Sequence, residues 1–152
     1  MKNISKLFFV VIMLLFVASV VVGQDMASLR RKSEETLKAK NPQWKLITKQ
    51  ERGNQITYQW GTQKAEVTLT IFYGASTQEA SEKMTKAIDY LSVGPGDKVR
   101  GFGDEAYLWK TPSNGYAGIR FRKANVYFDL SASSITLVED LARKLAKHVP
   151  EP

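Results

Sequence analysis

Val67, Leu69, Ile71 and Tyr73 occupy every second position of one segment, with Glu66, Thr68 and Thr70 on the alternate positions. A chain that alternates apolar and polar residues this way has one choice. It forms an extended strand with one face buried and one face wet. The same period of two runs through Trp44–Lys49, where Trp44, Leu46 and Thr48 alternate, and through Gln55–Trp60, where Ile56, Tyr58 and Trp60 do. Arg52-Gly53-Asn54 and Gly61-Thr62-Gln63 supply turns between them. Three strands joined by short turns make an antiparallel meander.

Helical periodicity brackets that meander. Asp25–Asn41 carries Met26, Leu29, Ser33 and Leu37 near one face and ends before Pro42, since the residue preceding proline avoids the α region. Ser76 and Glu79 form a capping box. Ala80, Met84, Ala87, Ile88 and Leu91 follow as an apolar stripe, and Gly94-Pro95-Gly96 reads as a loop.

A second strand set follows: Ala106–Lys110, Tyr116–Arg122 with Ala117, Ile119 and Phe121 inward, and Val126–Leu130 with Val126, Phe128 and Leu130 inward. Pro112–Gly115 and Lys123-Ala124-Asn125 are the reversals. A final helix opens at Ser133 or Ser134, buries Val138, Leu141, Ala142, Leu145 and Val149, and stops at Pro150. The sequence therefore predicts an α+β fold: an antiparallel sheet of about six strands, amphipathic helices on one face, in the order α-βββ-α-βββ-α. Lys64–Val67 and its following strand and helix read like Lys123–Val126 and theirs. Either an internal duplication or convergent binary patterning produces that likeness.

The N-terminus predicts export. Lys2 and Lys6 precede a 16-residue apolar run, Leu7–Val22, shorter than the ~20 residues a spanning helix needs. Val21 and Gly23 suit the small-residue positions of a signal-peptidase site, so residues 1–23 read as a signal peptide cut before Gln24. Cleavage after Ser19 and retention as an uncleaved anchor are the alternatives. Residues 24–152 then form a single exported domain, periplasmic or secreted. Loss of two lysines lowers the formal charge from +7 to +5. Outside the cytoplasm that charge favours anionic lipid head groups, acidic glycans or acidic envelope proteins over nucleic acid. A membrane partner is expected only through the N-terminal segment, if that is retained.

Zero cysteines and one histidine remove thiolate catalysis, disulfides and Cys- or His-rich metal sites. His148 sits in the last helical turn, where a cation suits the helix dipole, and no Gly-x-Ser-x-Gly frame accompanies it. Gly101-Phe102-Gly103-Asp104-Glu105 lacks the P-loop Lys-Ser/Thr. It reads as a glycine turn whose Asp104 bonds nearby backbone amides. Asp104 and Glu105 adjoin on a strand and point to opposite faces, which makes a poor acid–base pair. Glu66 and Asp129 read as solvated outward positions. No catalytic residue, metal site or cofactor is expected. Tyr116, Arg120, Arg122 and Tyr127 project opposite to Ile119, Phe121, Val126 and Phe128. With Asp104 and Glu105 they form the expected ligand-binding surface, an exposed aromatic–basic face for an anionic ligand or an envelope protein.

Gly103-Asp104-Glu105-Ala106-Tyr107, then Ile119–Tyr127, resembles a pattern in mycobacterial-type lipoproteins of unknown function and in extracellular sensor domains that share their fold. There a Gly-Asp-Glu-Ala precedes a strand, and a basic hairpin ending in Asn-Val leads to a closing helix. The likeness covers about residues 101–149; the lipobox cysteine and paired cysteines of those proteins are absent here. The resemblance implies a binding or sensing role and supplies no catalytic residues. A non-enzymatic envelope binding domain is thus the first expectation. A small carboxylate-dependent hydrolase or an inhibitor of an envelope enzyme is the second, and a membrane-anchored structural partner the third.

Overall fold

The computed structural model describes residues 26–89, 96–111 and 115–150. The N-terminal run 1–23, Asp25, Leu91, the Gly94-Pro95 turn and the turn residues Pro112, Ser113 and Asn114 lie outside the described residues. The chain divides into two compact units, Met1–Lys32 and Ser33–Pro152. Residues 26–40 are helical (α1), and within that helix Leu29, Ser33 and Leu37 are buried. None of the helices among the described residues is long and apolar enough to cross a membrane.

Among the described residues the larger unit is built on seven antiparallel strands: β1 (Lys45–Arg52), β2 (Gln55–Gly61), β3 (Ala65–Tyr73), β4 (Asp97–Val99), β5 (Glu105–Lys110), β6 (Ala117–Lys123) and β7 (Val126–Ala132). Their order across the sheet is β1-β2-β3-β7-β6-β5-β4. Helices α2 (Thr77–Asp89) and α3 (Ile135–Ala146) follow β3 and β7. The α+β class and the antiparallel sheet match the sequence expectation. The seventh strand is β4, three residues beside β5 at the far edge.

Register explains the core. Ile71 pairs with Phe128, Leu69 with Leu130, Phe128 with Phe121 and Leu130 with Ile119, so these side chains share one face. All but Ile71 are wholly buried, and the rings of Phe121 and Phe128 stack with centroids 4.6 Å apart. Helix α3 lies on this face across β6 and β7, burying Val138, Leu141, Ala142 and Leu145. Ser134 caps it by accepting from the Leu137 amide.

Helix α2 departs from the expected one-sided arrangement. Phe72 pairs with Tyr127 on the opposite sheet face. Ala80 and Met84 of α2 pack against those two rings, with Ala87, Ile88 and Tyr107 at the border. The two helices therefore sandwich β6 and β7. The sequence signal for a second buried face is Phe72 and Tyr127, apolar residues at otherwise polar strand positions; two large rings there require a cover. Ser76 Oγ caps α2 by accepting from the Glu79 amide, and the Glu79 carboxylate accepts in turn from the Ala75 amide.

The two strand–helix units meet at the β3–β7 pair. Val67 pairs with Ala132 and Val126 with Tyr73, symmetric about the Thr70–Asp129 pair. A two-fold axis normal to the sheet would leave both helices on one face. Because α2 and α3 lie on opposite faces, the symmetry stops at the sheet.

Edge strand β1 also departs from its pattern. Leu46 and Ile47 are exposed, and a register shift falls between Leu46 and Thr48. The bulge breaks the alternation that Trp44, Leu46 and Thr48 suggest. Lys45, Lys49 and Arg52 guard the edge against pairing.

Two hairpin tips clamp the end of β3. Asn54 and Tyr73 exchange bonds, with Tyr73 N donating to the Asn54 carbonyl and Asn54 Nδ2 to the Tyr73 carbonyl. Asn125 and Gly74 do the same. Both tips are two-residue turns with positive φ at the first position, 59° at Gly53 and 50° at Ala124. Glycine is the usual occupant there, so Ala124 is held in a conformation that its Cβ disfavours.

Candidate anion-binding groove

The loop before β5 is fastened to the β6–β7 tip by one side chain. Asp104 donates its backbone amide to the Arg122 carbonyl at 2.8 Å. Its Oδ2 accepts from Arg122 Nη1 and from the Ala124 amide, both at 2.8 Å. Arg122 Nη1 also donates to the Ala124 carbonyl. This is the amide-bonding turn the sequence suggests, and it holds Ala124 at its positive φ. Asp104 is thereby occupied as a structural acceptor.

Phe102, between the two glycines of the loop, is buried. The Arg143 guanidinium lies 4.9 Å over its ring, a cation–π contact. The loop, Lys123 and the last turn of α3 then enclose an open groove of about 410 Å³, lined by Gly101, Gly103, Asp104, Lys123, Arg143, Ala146 and Lys147. Three side chains in the lining are cationic. Among the described lining residues the one carboxylate, Asp104, is paired with Arg122. Arg143 also lies 3.7 Å from Glu139 one turn back. Sequence reading reached the Gly101–Glu105 loop and missed Lys123, Arg143 and Lys147. Arg143 and Lys147 are four apart on a helix, a visible same-face pair. Their approach to the loop depends on how α3 crosses the sheet.

The other expected binding residues gather elsewhere or not at all. Arg120 and Tyr127 do project opposite to Ile119 and Phe128, yet neither is exposed: Arg120 is 1% and Tyr127 2% accessible. The cover is α2 over Tyr127 and Trp109 over Arg120, whose guanidinium carbon lies 5.6 Å from the indole centre. Arg122 is largely buried in its bond to Asp104. Glu105 faces Arg122 across the sheet and accepts from the Tyr107 hydroxyl at 2.9 Å, which raises the Tyr107 pKa. Tyr116 precedes β6, its carbonyl accepting from the Thr111 amide and hydroxyl. The open aromatic–basic face is thus replaced by a covered polar cluster.

Asp129 anchors that cluster while its carboxylate stays partly exposed, at 29%. Its Oδ2 accepts from Arg120 Nε at 3.4 Å and from the Tyr127 hydroxyl at 3.2 Å. Burial among these neighbours pushes its carboxyl above the ordinary range, and Arg120 pulls it partway back. Burial and the Asp129 charge push the Tyr127 phenol far up, against a smaller pull from Arg120. Glu66 is likewise engaged. Bonds from Thr62 and from Trp44 Nε1 hold its carboxyl below its usual value. His148 Nε2 lies 2.7 Å from Thr36 Oγ1. Among the described residues no three His, Cys, Asp or Glu side chains converge as a metal site would require.

No family model matches the chain, and neither the curated proteins nor the solved structures contain a match.

Proposed function

We propose that this chain is an exported envelope domain that binds an anionic ligand in the groove between the Gly101–Asp104 loop and the end of α3, without catalysis. The observation that carries the reading is the charge of the lining. Lys123, Arg143 and Lys147 share one concavity, and among its described lining residues the one acid, Asp104, is paired with Arg122. A low-dielectric wall beside clustered cations concentrates counter-anions. Export rests on the basic start and apolar run of residues 1–22.

The hydrolase reading has less support. Asp104 and Glu105 are each tied to a neighbour, and a glycosidase needs two carboxyls opposed across a cleft.

Titration with a heparin hexasaccharide, a generic polyanion probe, tests the proposal. Lys123→Ser/Arg143→Ser/Lys147→Ser is compared with Lys38→Ser/Lys86→Ser/Lys110→Ser, which has the same net charge. The groove variant loses binding and flattens the salt dependence; the control retains both. Equal losses in the two variants would reduce the interaction to net charge and end the proposal. N-terminal sequencing of the exported protein, with Gln24 first, tests the processing.

A further inference from the structure

We infer that the sheet face opposite α3 carries a second site, at Trp109, Arg120 and Asp129, that takes a neutral saccharide; it is separate from the anion groove and does not depend on it. The register lays out the site. Thr68 pairs with Ser131, Ser131 with Gly118 and Gly118 with Trp109, one residue from each of β3, β7, β6 and β5. The next row on the same face runs through Thr70, Asp129 and Arg120. Helix α2 covers the row of Phe72 and Tyr127 beyond it. Thr68, Asp129, Ser131 and Trp109 stay partly exposed.

Unused hydrogen-bonding capacity defines the occupant. Arg120 Nη1 and Trp109 Nε1 are buried donors with no acceptor among the described residues. They are neighbours, since the guanidinium carbon lies 5.6 Å from the indole centre. Beside them Asp129 uses Oδ2 alone, which accepts from Arg120 Nε and from the Tyr127 hydroxyl. The cluster therefore offers N–H donors and a carboxylate oxygen together. A group that answers both must accept and donate, and a hydroxyl does so. An ammonium has no lone pair to accept with and meets the Arg120 charge. A carboxylate has no proton to donate and meets the Asp129 charge. The two charges offset each other, so the cluster favours a ligand of neither sign.

The rest of the face suits a sugar rather than a lone hydroxyl. Thr68 and Ser131 add hydroxyl side chains along the row, and Trp109 supplies an apolar ring for the C–H face of a pyranose. Trp109 is seated against Gly118, where a Cβ would displace it. No bond holds its indole nitrogen, so a tilt of the ring uncovers Arg120 Nη1 to an incoming oxygen. A buried donor without an acceptor is destabilising, and a ligand hydroxyl removes that penalty.

The test follows the Trp109 indole N–H and the Asp129 and Ser131 amides by NMR in the full chain, the indole signal being identified by its loss in Trp109→Phe. Cellotetraose and chitotetraose are the neutral probes. De-N-acetylated chitotetraose supplies ammonium groups and tetraglucuronate supplies carboxylates on similar rings. Saturable shifts at millimolar concentration are expected with at least one neutral probe, with a preference of about tenfold over both charged tetramers, as an unanswered charge at the cluster implies. Trp109→Phe keeps an aromatic ring and loses the N–H; its affinity, read from the two amides, falls about tenfold. Ser131→Ala, at a partly exposed position, weakens binding about threefold through loss of one neutral bond, and circular dichroism checks that each variant is folded. Lys123→Ser/Arg143→Ser/Lys147→Ser binds the saccharide as wild type does, which keeps this result distinct from that of the anion groove. No saturable shift with either neutral tetramer, a charged tetramer bound as well at these signals, or Trp109→Phe and Ser131→Ala both equal to wild type overturns the inference, and water is then the occupant of the two donors.

Discussion

Trp109 lies flat on Gly118, its partner across the β5–β6 ladder, and that contact makes a sign-changing test of the sheet. A Cβ built on Gly118 would fall inside the indole, 2.6 Å from Nε1 and nearer still to Cζ2 and Cε2. Gly118→Ala in an ordinary strand interior would stabilise by about 0.5–1 kcal/mol, because alanine loses less backbone freedom on folding. Here the methyl group must evict the ring. Overpacking of that kind costs about 1–3 kcal/mol. Trp109 also covers Arg120, which is 1% exposed, so the eviction opens a buried cation to water. The expected net effect in wild type is a loss of about 1–2 kcal/mol, the overpacking cost less the backbone gain. In a Trp109→Ala background the obstacle is gone, and Gly118→Ala becomes neutral or stabilising by up to about 1 kcal/mol. The double-mutant cycle therefore carries a coupling of about 2 kcal/mol. Urea unfolding followed by circular dichroism reads all four proteins, and wild type and Gly118→Ala should differ in midpoint by about 1 M. Gly118→Ala as stable as wild type, or additive effects around the cycle, would refute the seating of Trp109 on Gly118.

Ala124→Gly places glycine where the equivalent turn already has Gly53; it should raise stability by about 0.5–1 kcal/mol through relief of the positive φ, read as a higher Tm, and a lower Tm would contradict the turn geometry. Asp104→Ala removes the acceptor shared by Arg122 and the Ala124 amide. With Asp104 half exposed, the loss is about 1 kcal/mol rather than the full value of a charge-assisted pair, measured by urea unfolding. Glu66 and Asp140 are held below their usual values by bonds from Thr62 and Lys40 respectively. Their stabilisation is complete above the ordinary carboxylate range and is lost as pH falls through the lower folded values. Glu66→Gln and Asp140→Asn should each flatten the acid limb of Tm against pH. Asp129 has the opposite sign. Its raised pKa means that the folded chain takes up that proton first, so Asp129→Asn should steepen the acid limb.

Strand alternation carried most of the fold in readable form, since a period of two has one structural meaning. The turn residues were equally legible: Gly53-Asn54 and Ala124-Asn125 reverse the chain where their composition says. Capping at Ser76 and Ser134 follows the same local logic. What local pattern could not convey was cover. Arg120 and Tyr127 alternate outward, and alternation reports a direction rather than an accessibility. Phe72 on the polar side of β3 was the visible hint that a helix would lie there. Asp129 was hidden for the same reason, its neighbours arriving from β6 and from the covered face. The groove joins Gly101–Asp104 to Arg143 and Lys147, about forty residues apart in sequence, and only the crossing of α3 brings them together.

Amide chemical shifts during a phosphate titration test the anion site most directly. The account expects saturable shifts confined to Gly101–Asp104, Lys123 and Arg143–Lys147, abolished by Lys123→Ser/Arg143→Ser/Lys147→Ser. Shifts centred on another surface, or none up to concentrations where nonspecific binding begins, would contradict it.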